Sequence, residues 1–235
     1  MAVFIVGTTV IGAAVLVAGL IDRRGTWVRG LSRAWGRLML AACGVRLEVE
    51  GADRIDAKAA YVFAGNHQSA LDIPVLLAAL PNRFGWLAKK ELFRIPLFGR
   101  LMRLTGNIPV DRGEARAALH SLREAVRALE EGRSIFVFPE GTRSPTEEVL
   151  PFKSGGFMLA AHSGLPVVPV TIVGTGRVLP PGRWRLGPPG PVRVVIGEPV
   201  AVSGRRRDEL ARLVRERVIE NYCPRRESLG ADNHG

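Results

Sequence analysis

An α/β fold, a mixed sheet flanked by helices, is predicted for this chain by three observations. From residue 45 onward, short apolar strands alternate with helical patterns. Ahead of that alternation stand two helical segments, the first apolar throughout and the second amphipathic. Hydrophobic residues make up 47% of 235 residues, enough to fill a core and to exclude a disordered chain.

Residues 2–21 carry no charge. About twenty residues at 1.5 Å each match the roughly 30 Å hydrocarbon layer of a bilayer. A cleaved leader wants basic residues before its apolar run. Here Arg23 and Arg24 follow it, which predicts a retained membrane helix or anchor with its C-terminal flank on the cytoplasmic side, a cleaved leader and a buried core helix being the alternatives. In residues 26–43, Leu31, Trp35, Leu38 and Ala42 recur at helical spacing, and Arg29, Arg33 and Arg37 form an i, i+4 row. Arginine heads beside an apolar stripe suit a headgroup boundary; an amphipathic helix packed on the domain is the alternative. Residues 1–43 are thus expected to form a two-helix membrane-anchoring motif, which places the protein at a membrane.

The domain proper is expected over 44–223. Strands are predicted at 46–51, 60–66, 84–88, 134–140, 167–174 and 192–200, with a further short one ended by the stretch 106–112. Helices are predicted over 114–130, where Ala118, Leu122, Val126 and Leu129 share a face, and over 206–222. The Pro/Gly-rich stretch 179–191 reads as a loop, and the polar residues 224–235 as a disordered tail.

A net charge of +11 calls for anionic partners. No basic run is interleaved with aromatics, so no nucleic-acid partner is expected. Arginine dominates the cations, and its planar fork suits phosphate, so an anionic membrane surface and a phosphorylated substrate are the expected partners. The two cysteines, Cys43 and Cys223, have no metal-like spacing, so neither a disulfide scaffold nor a metal site is expected.

Four blocks carry chemistry. The first is NHQSALD, Asn66–Asp72. Five residues on one helix turn through about 500°, so His67 and Asp72 share no helix face. They meet if His67 lies on a strand-to-helix loop and Asp72 begins the helix, and Pro74 suits such a first turn. A carboxylate on one imidazole nitrogen fixes the tautomer and supports the imidazolium, the logic of a base for a hydroxyl. Taken alone, the pair reads more readily as a loop histidine capped by an aspartate. The second block is GNIPVDR, Gly106–Arg112, and the third FPEGTRS, Phe138–Ser144, at the end of an apolar strand. Strand C-termini are where open α/β sheets bind ligands. Gly141 lets the backbone turn, Arg143 offers a fork for phosphate, and Glu140 either receives substrate hydroxyls or holds Arg143. The fourth, GLPVVPVTI at 164–172, puts two prolines in a strand, which suggests an edge or a groove wall; a core strand with a mostly structural role is the favoured reading.

In this order and spacing the blocks resemble the glycerolipid acyltransferase family, and within it the 1-acylglycerol-3-phosphate acyltransferases. The resemblance runs from about residue 60 to about 175. It implies His67 as general base, Asp72 as its partner, and Gly106, Arg112, Glu140, Gly141, Thr142 and Arg143 as substrate-binding. Pro109 stands where the family often has an aromatic or aliphatic residue. The family also suggests N-terminal helices that dip into one leaflet. The implied reaction moves an acyl group from acyl-CoA or acyl carrier protein, as substrate, to a lysophospholipid hydroxyl, with no cofactor. Gly141 N–H or a lysine of Lys89–Lys90 would serve the oxyanion. Other lysolipid acceptors, a non-catalytic lipid-binding protein and a thioester hydrolase are the alternatives.

Overall fold

A computed structural model describes residues 2–22, 25–110, 115–183 and 185–222, with side chains from 6 and 119 in the first and third stretches. The expected disordered tail at 224–235 lies outside the described residues. Helix α1 (Ala2–Ile21) turns back through Gly25 into α2 (Thr26–Ala42). Asp22 Oδ2 accepts from the N–H groups of Trp27 and Val28 and so holds the exposed first turn of α2.

Strands β1 (Arg46–Glu50), β2 (Val62–Gly65), β3 (Phe84–Lys89), β4 (Ile108–Val110), β5 (Ser134–Val137), β6 (Val167–Val173) and β7 (Pro191–Ile196) form one sheet in the order β1-β7-β6-β2-β5-β3-β4. The five strands from β6 to β4 run parallel, whereas β7 is antiparallel to β6 and carries β1 parallel to itself. The sheet is therefore mixed, and β2, β5 and β3 end on one edge.

Strand side chains alternate between faces. Phe63 packs with Leu40 of α2 and with Val75 and Leu76 of α3 (Asp72–Ala79). Val62 and Ala64 pack against α5 (Ala115–Glu130), α6 (Met158–Ser163) and α8 (Arg207–Tyr222) through Leu129, Leu159 and Leu210. Short helices α4 (Phe98–Leu104) and α7 (Thr175–Val178) complete the set.

One expectation changes. The prolines of the fourth block do not mark an edge, because β6 is flanked by β2 and β7. Pro169 is tolerated at the limit of the β6–β7 ladder: pairing starts at Val170–Ile196, and the Pro169 carbonyl accepts from Gly197 N–H at 2.8 Å. Helix α1 packs on the rest of the protein. Among the described residues no helix is long and apolar enough to cross a membrane. Val15 and Ala18 of α1 are buried with Val28 of α2, against Leu101 and Leu104 of α4. Val6, Val10, Val17 and Ile21, at helical spacing, are exposed. In turn α2 lies on α3, where a Cβ on Gly36 would stand 2.6 Å from the Pro74 carbonyl oxygen.

Candidate active site

Strand β2 stops at Gly65, but its hydrogen bonding continues through a side chain. Asn66 is fully buried; its amide donates to Ile172 O and accepts from Ile172 N–H, both at 2.8 Å, as a peptide of the next strand would. The backbone is thereby free to turn, and His67 leaves the sheet at its C-terminal edge. Asp72 opens α3 five residues on. Its Oδ2 takes His67 Nδ1 at 2.7 Å, Gln68 N–H at 2.8 Å and Ser69 N–H at 3.0 Å. One buried carboxylate thus closes the loop and orients the ring, as the spacing required. With Nδ1 engaged, His67 Nε2 makes no hydrogen bond among the described residues, and the side chain keeps 19% of its exposure. The ring stacks on Phe138, centroids 3.9 Å apart and planes 19° apart. Phe138 was visible in FPEGTRS, but nothing in the spacing gives it that contact.

Glu140 is 2% exposed and faces the same loop from the other side. Its Oε1 accepts the His67 backbone N–H at 3.0 Å, while His67 O accepts Ser144 N–H at 2.8 Å. Both ends of the His67 peptide unit are therefore tied to the segment after β5. Glu140 neither pairs with Arg143 nor opens toward a substrate hydroxyl, the two roles its sequence context suggested. Burial pushes its carboxyl up to about 7; the N–H groups of His67 and Leu150 oppose the rise, Asp72 adds to it, and Arg215 opposes it.

The rim of the site is open. Gly141 has φ +76° and donates its N–H to Phe138 O at 3.0 Å, closing a tight turn. That N–H is thus engaged, which leaves the Lys89–Lys90 stretch, at the end of β3, as the other oxyanion donor the sequence offered. Thr142 and Arg143 are exposed, and Arg143 has no hydrogen-bond or ion-pair partner among the described residues. Lys153 reaches the same turn: its Nζ would lie 3.2 Å from a Cβ on Gly141. No sequence argument singled it out, although it stands in the LPFKSGG stretch.

One further expected residue is not brought together with His67. Gly106, at φ +86°, sits before β4 beside Arg133, level with Gly85 near the start of β3 and away from the strand ends. Arg112 lies outside the described residues. Gln68, by contrast, reaches far: its Nε2 donates to Tyr222 Oη at 2.6 Å and to Glu147 O at 3.1 Å, so the last described turn of α8 braces the loop.

A histidine with a carboxylate-fixed tautomer, a partly open Nε2 and unpaired cations nearby is equipped to deprotonate a hydroxyl on an anionic molecule. His67 makes no hydrogen bond to a serine, threonine or cysteine side chain among the described residues.

Known proteins match this arrangement. The family model Acyltransferase matches residues 46–173. A chloroplastic 1-acyl-sn-glycerol-3-phosphate acyltransferase of Brassica napus is 38% identical over 160 residues, 68% of this chain and 46% of that protein. A 1-acyl-sn-glycerol-3-phosphate acyltransferase of Limnanthes alba is 32% identical over 202 residues, 84% of this chain and 71% of that one. The crystal structure of the 1-acyl-sn-glycerophosphate acyltransferase of Thermotoga maritima superposes with a TM-score of 0.81 at 33% identity, covering 94% of this chain and 92% of that one. The chain spans about half the length of the first curated relatives it matches, 46% and 49%.

Proposed function

Because the chain belongs to the acyltransferase family, we propose that it transfers a fatty acyl group from an acyl thioester to the sn-2 hydroxyl of 1-acylglycerol-3-phosphate, giving phosphatidic acid. The observation that carries this reading is the 2.7 Å contact of His67 Nδ1 with Asp72 Oδ2, beside Arg143 at the strand-end edge. Relatives bearing that activity's name support the choice of acceptor.

In this mechanism the acceptor phosphate lies against Arg143, with Arg112 as a second expected contact. His67 Nε2 takes the hydroxyl proton as the oxygen attacks the thioester carbonyl. The tetrahedral intermediate collapses with loss of the thiolate, and the imidazolium returns its proton to sulfur. Asp72 stays ionised and stabilises the imidazolium. Transfer is direct, without an acyl-enzyme. Acyl-CoA or acyl carrier protein supplies the thioester.

The α1–α2 hairpin would seat the enzyme on the cytoplasmic face of a membrane, its apolar outer stripe buried in one leaflet. Exposed Val6, Val10, Val17 and Ile21, with Arg29 and Arg37 on the following helix, support a shallow seat. Incubation of the purified protein with labelled acyl-CoA and a panel of lysolipids tests the reaction. Labelled phosphatidic acid from 1-acylglycerol-3-phosphate is expected. Acyl-CoA cleavage that lysolipid does not stimulate would overturn the reading in favour of hydrolysis.

A further inference from the structure

Among the described residues with side chains, one other than glycine has a positive φ: Leu97, at φ +62° and ψ −47°. Phe98 N–H donates to Pro96 O at 2.7 Å across it, which makes a γ-turn of the rare, strained hand. The surroundings hold this turn firmly. Gly99 N–H donates to Ile95 O at 2.8 Å and Leu101 N–H to Leu97 O at 2.9 Å. Gly99 is buried against the Phe93 backbone, where a side chain would collide with the carbonyl. A rigid device therefore drives a leucine outward, to 69% exposure, between exposed Ile95 and Phe98. Such a projection has no role in the core, so an apolar surrounding must lie outside the protein.

Its position and charge say which surrounding. The segment follows β3, and so leaves the sheet at the edge where His67 and Glu140 emerge. Helix α4 runs alongside α1 in the same direction: Leu101 lies by Gly12 and Leu104 by Gly19. Leu97, one turn earlier, therefore lies level with the N-terminal half of α1, away from the charged bend at Asp22. Within residues 89–103, Lys89, Arg94, Arg100 and Arg103 are exposed, and Glu91 is the one acid. Arg103 is drawn over the Phe93 ring at 5.2 Å. An apolar tip collared by cations matches an anionic lipid surface, tip in hydrocarbon and collar at the headgroups.

We propose that the Ile95–Phe98 turn is a second membrane-inserting element, which fixes the catalytic edge of the sheet against an anionic bilayer. This rests on the membrane seat assigned above to the α1–α2 hairpin. The test uses the full chain with Cys43→Ala and Cys223→Ser, and an environment-sensitive fluorophore on a single introduced cysteine at Leu97, at Val17 on α1, or at Val49 on the far edge strand. Vesicles of phosphatidylcholine with phosphatidylglycerol should brighten and blue-shift the labels at 97 and 17 and leave that at 49 unchanged. Leu97→Gly should weaken vesicle binding about tenfold, with an unchanged or higher Tm, since glycine accepts the turn without strain. A response at 17 with none at 97, or parental binding by Leu97→Gly, overturns the second element and leaves the hairpin seat intact. Silence at both positions overturns both. A label at 97 that answers to an acidic acyl carrier protein and not to vesicles overturns the lipid assignment.

Discussion

At the floor of the site Asp72 and Glu140 are both buried, and between them they hold the backbone and ring of His67. At the rim, three residues after Glu140, Arg143 is exposed and unpaired among the described residues. The contrast separates the two jobs that the proposed reaction assigns. A base must be placed before the substrate arrives, so its supports are made within the protein and shielded from water. A phosphate-binding cation must exchange water for ligand, so a prior partner would compete with its function.

Loss of the floor should cost most. His67→Ala is expected to lower kcat about 10³–10⁴-fold, and Asp72→Asn about 10²–10⁴-fold, with circular dichroism unchanged for His67→Ala. If steady-state assays show both variants within tenfold of the parent, the floor is scaffolding and the comparison collapses.

Glu140 distinguishes support from chemistry through pH. Its carboxyl lies at about 7 in the folded protein against an ordinary 4.5, so the fold holds that proton more tightly than the unfolded chain does. The associated stability is complete below about pH 4.5, is lost as pH rises to about 7, and is flat beyond; it amounts to about 3 kcal/mol at most. Glu140→Gln keeps an acceptor for His67 N–H and has no charge to bury. Its Tm should decline less than the parent's between pH 4.5 and 7, leaving the variant the more stable at pH 7.5. Parallel curves for the two proteins would show that Glu140 is not the group responsible.

At the rim, Arg143→Ala should raise KM for 1-acylglycerol-3-phosphate by about 10–100-fold, from the loss of a charge-assisted contact of about 1.5–3 kcal/mol. KM for the acyl donor should move much less. Equal shifts for both substrates would return Arg143 to a structural role. Gly141→Ala is the mildest change: a side chain at φ +76° costs about 1–2 kcal/mol, read as a small drop in Tm. Because the turn also presents Thr142 and Arg143, a rise in acceptor KM should accompany it.

Much of this was legible in the chain. Apolar runs marked the strands, and Pro74 marked the start of the helix that Asp72 opens. The geometric argument that His67 had to lie on a loop needed only the pitch of a helix. What stayed hidden depends on register between distant segments. Glu140 meets His67 N–H across 73 positions because β2 and β5 pair Val62 with Ile135. Gln68 meets Tyr222 across 154, which no local pattern encodes. The reversal of β7 was equally silent, since an apolar run reads the same in either direction. Gly106 was placed by its block, yet the loop turns it to the other end of the strands; a motif records neighbours in sequence, not which end of a sheet they occupy.

The Asn66 amide has a consequence for anyone who would move this chemistry elsewhere. It stands in for a peptide group, bonded to both polar atoms of Ile172. A recipient sheet given the seven residues from Asn66 to Asp72 would still lack the adjacent strand at the right height, the carboxylate opposite and the amide of Ser144. The smallest transplantable unit is three strand ends in fixed stagger, with the loop as their shared terminus. Grafting the loop alone should yield a histidine that no longer knows where to point.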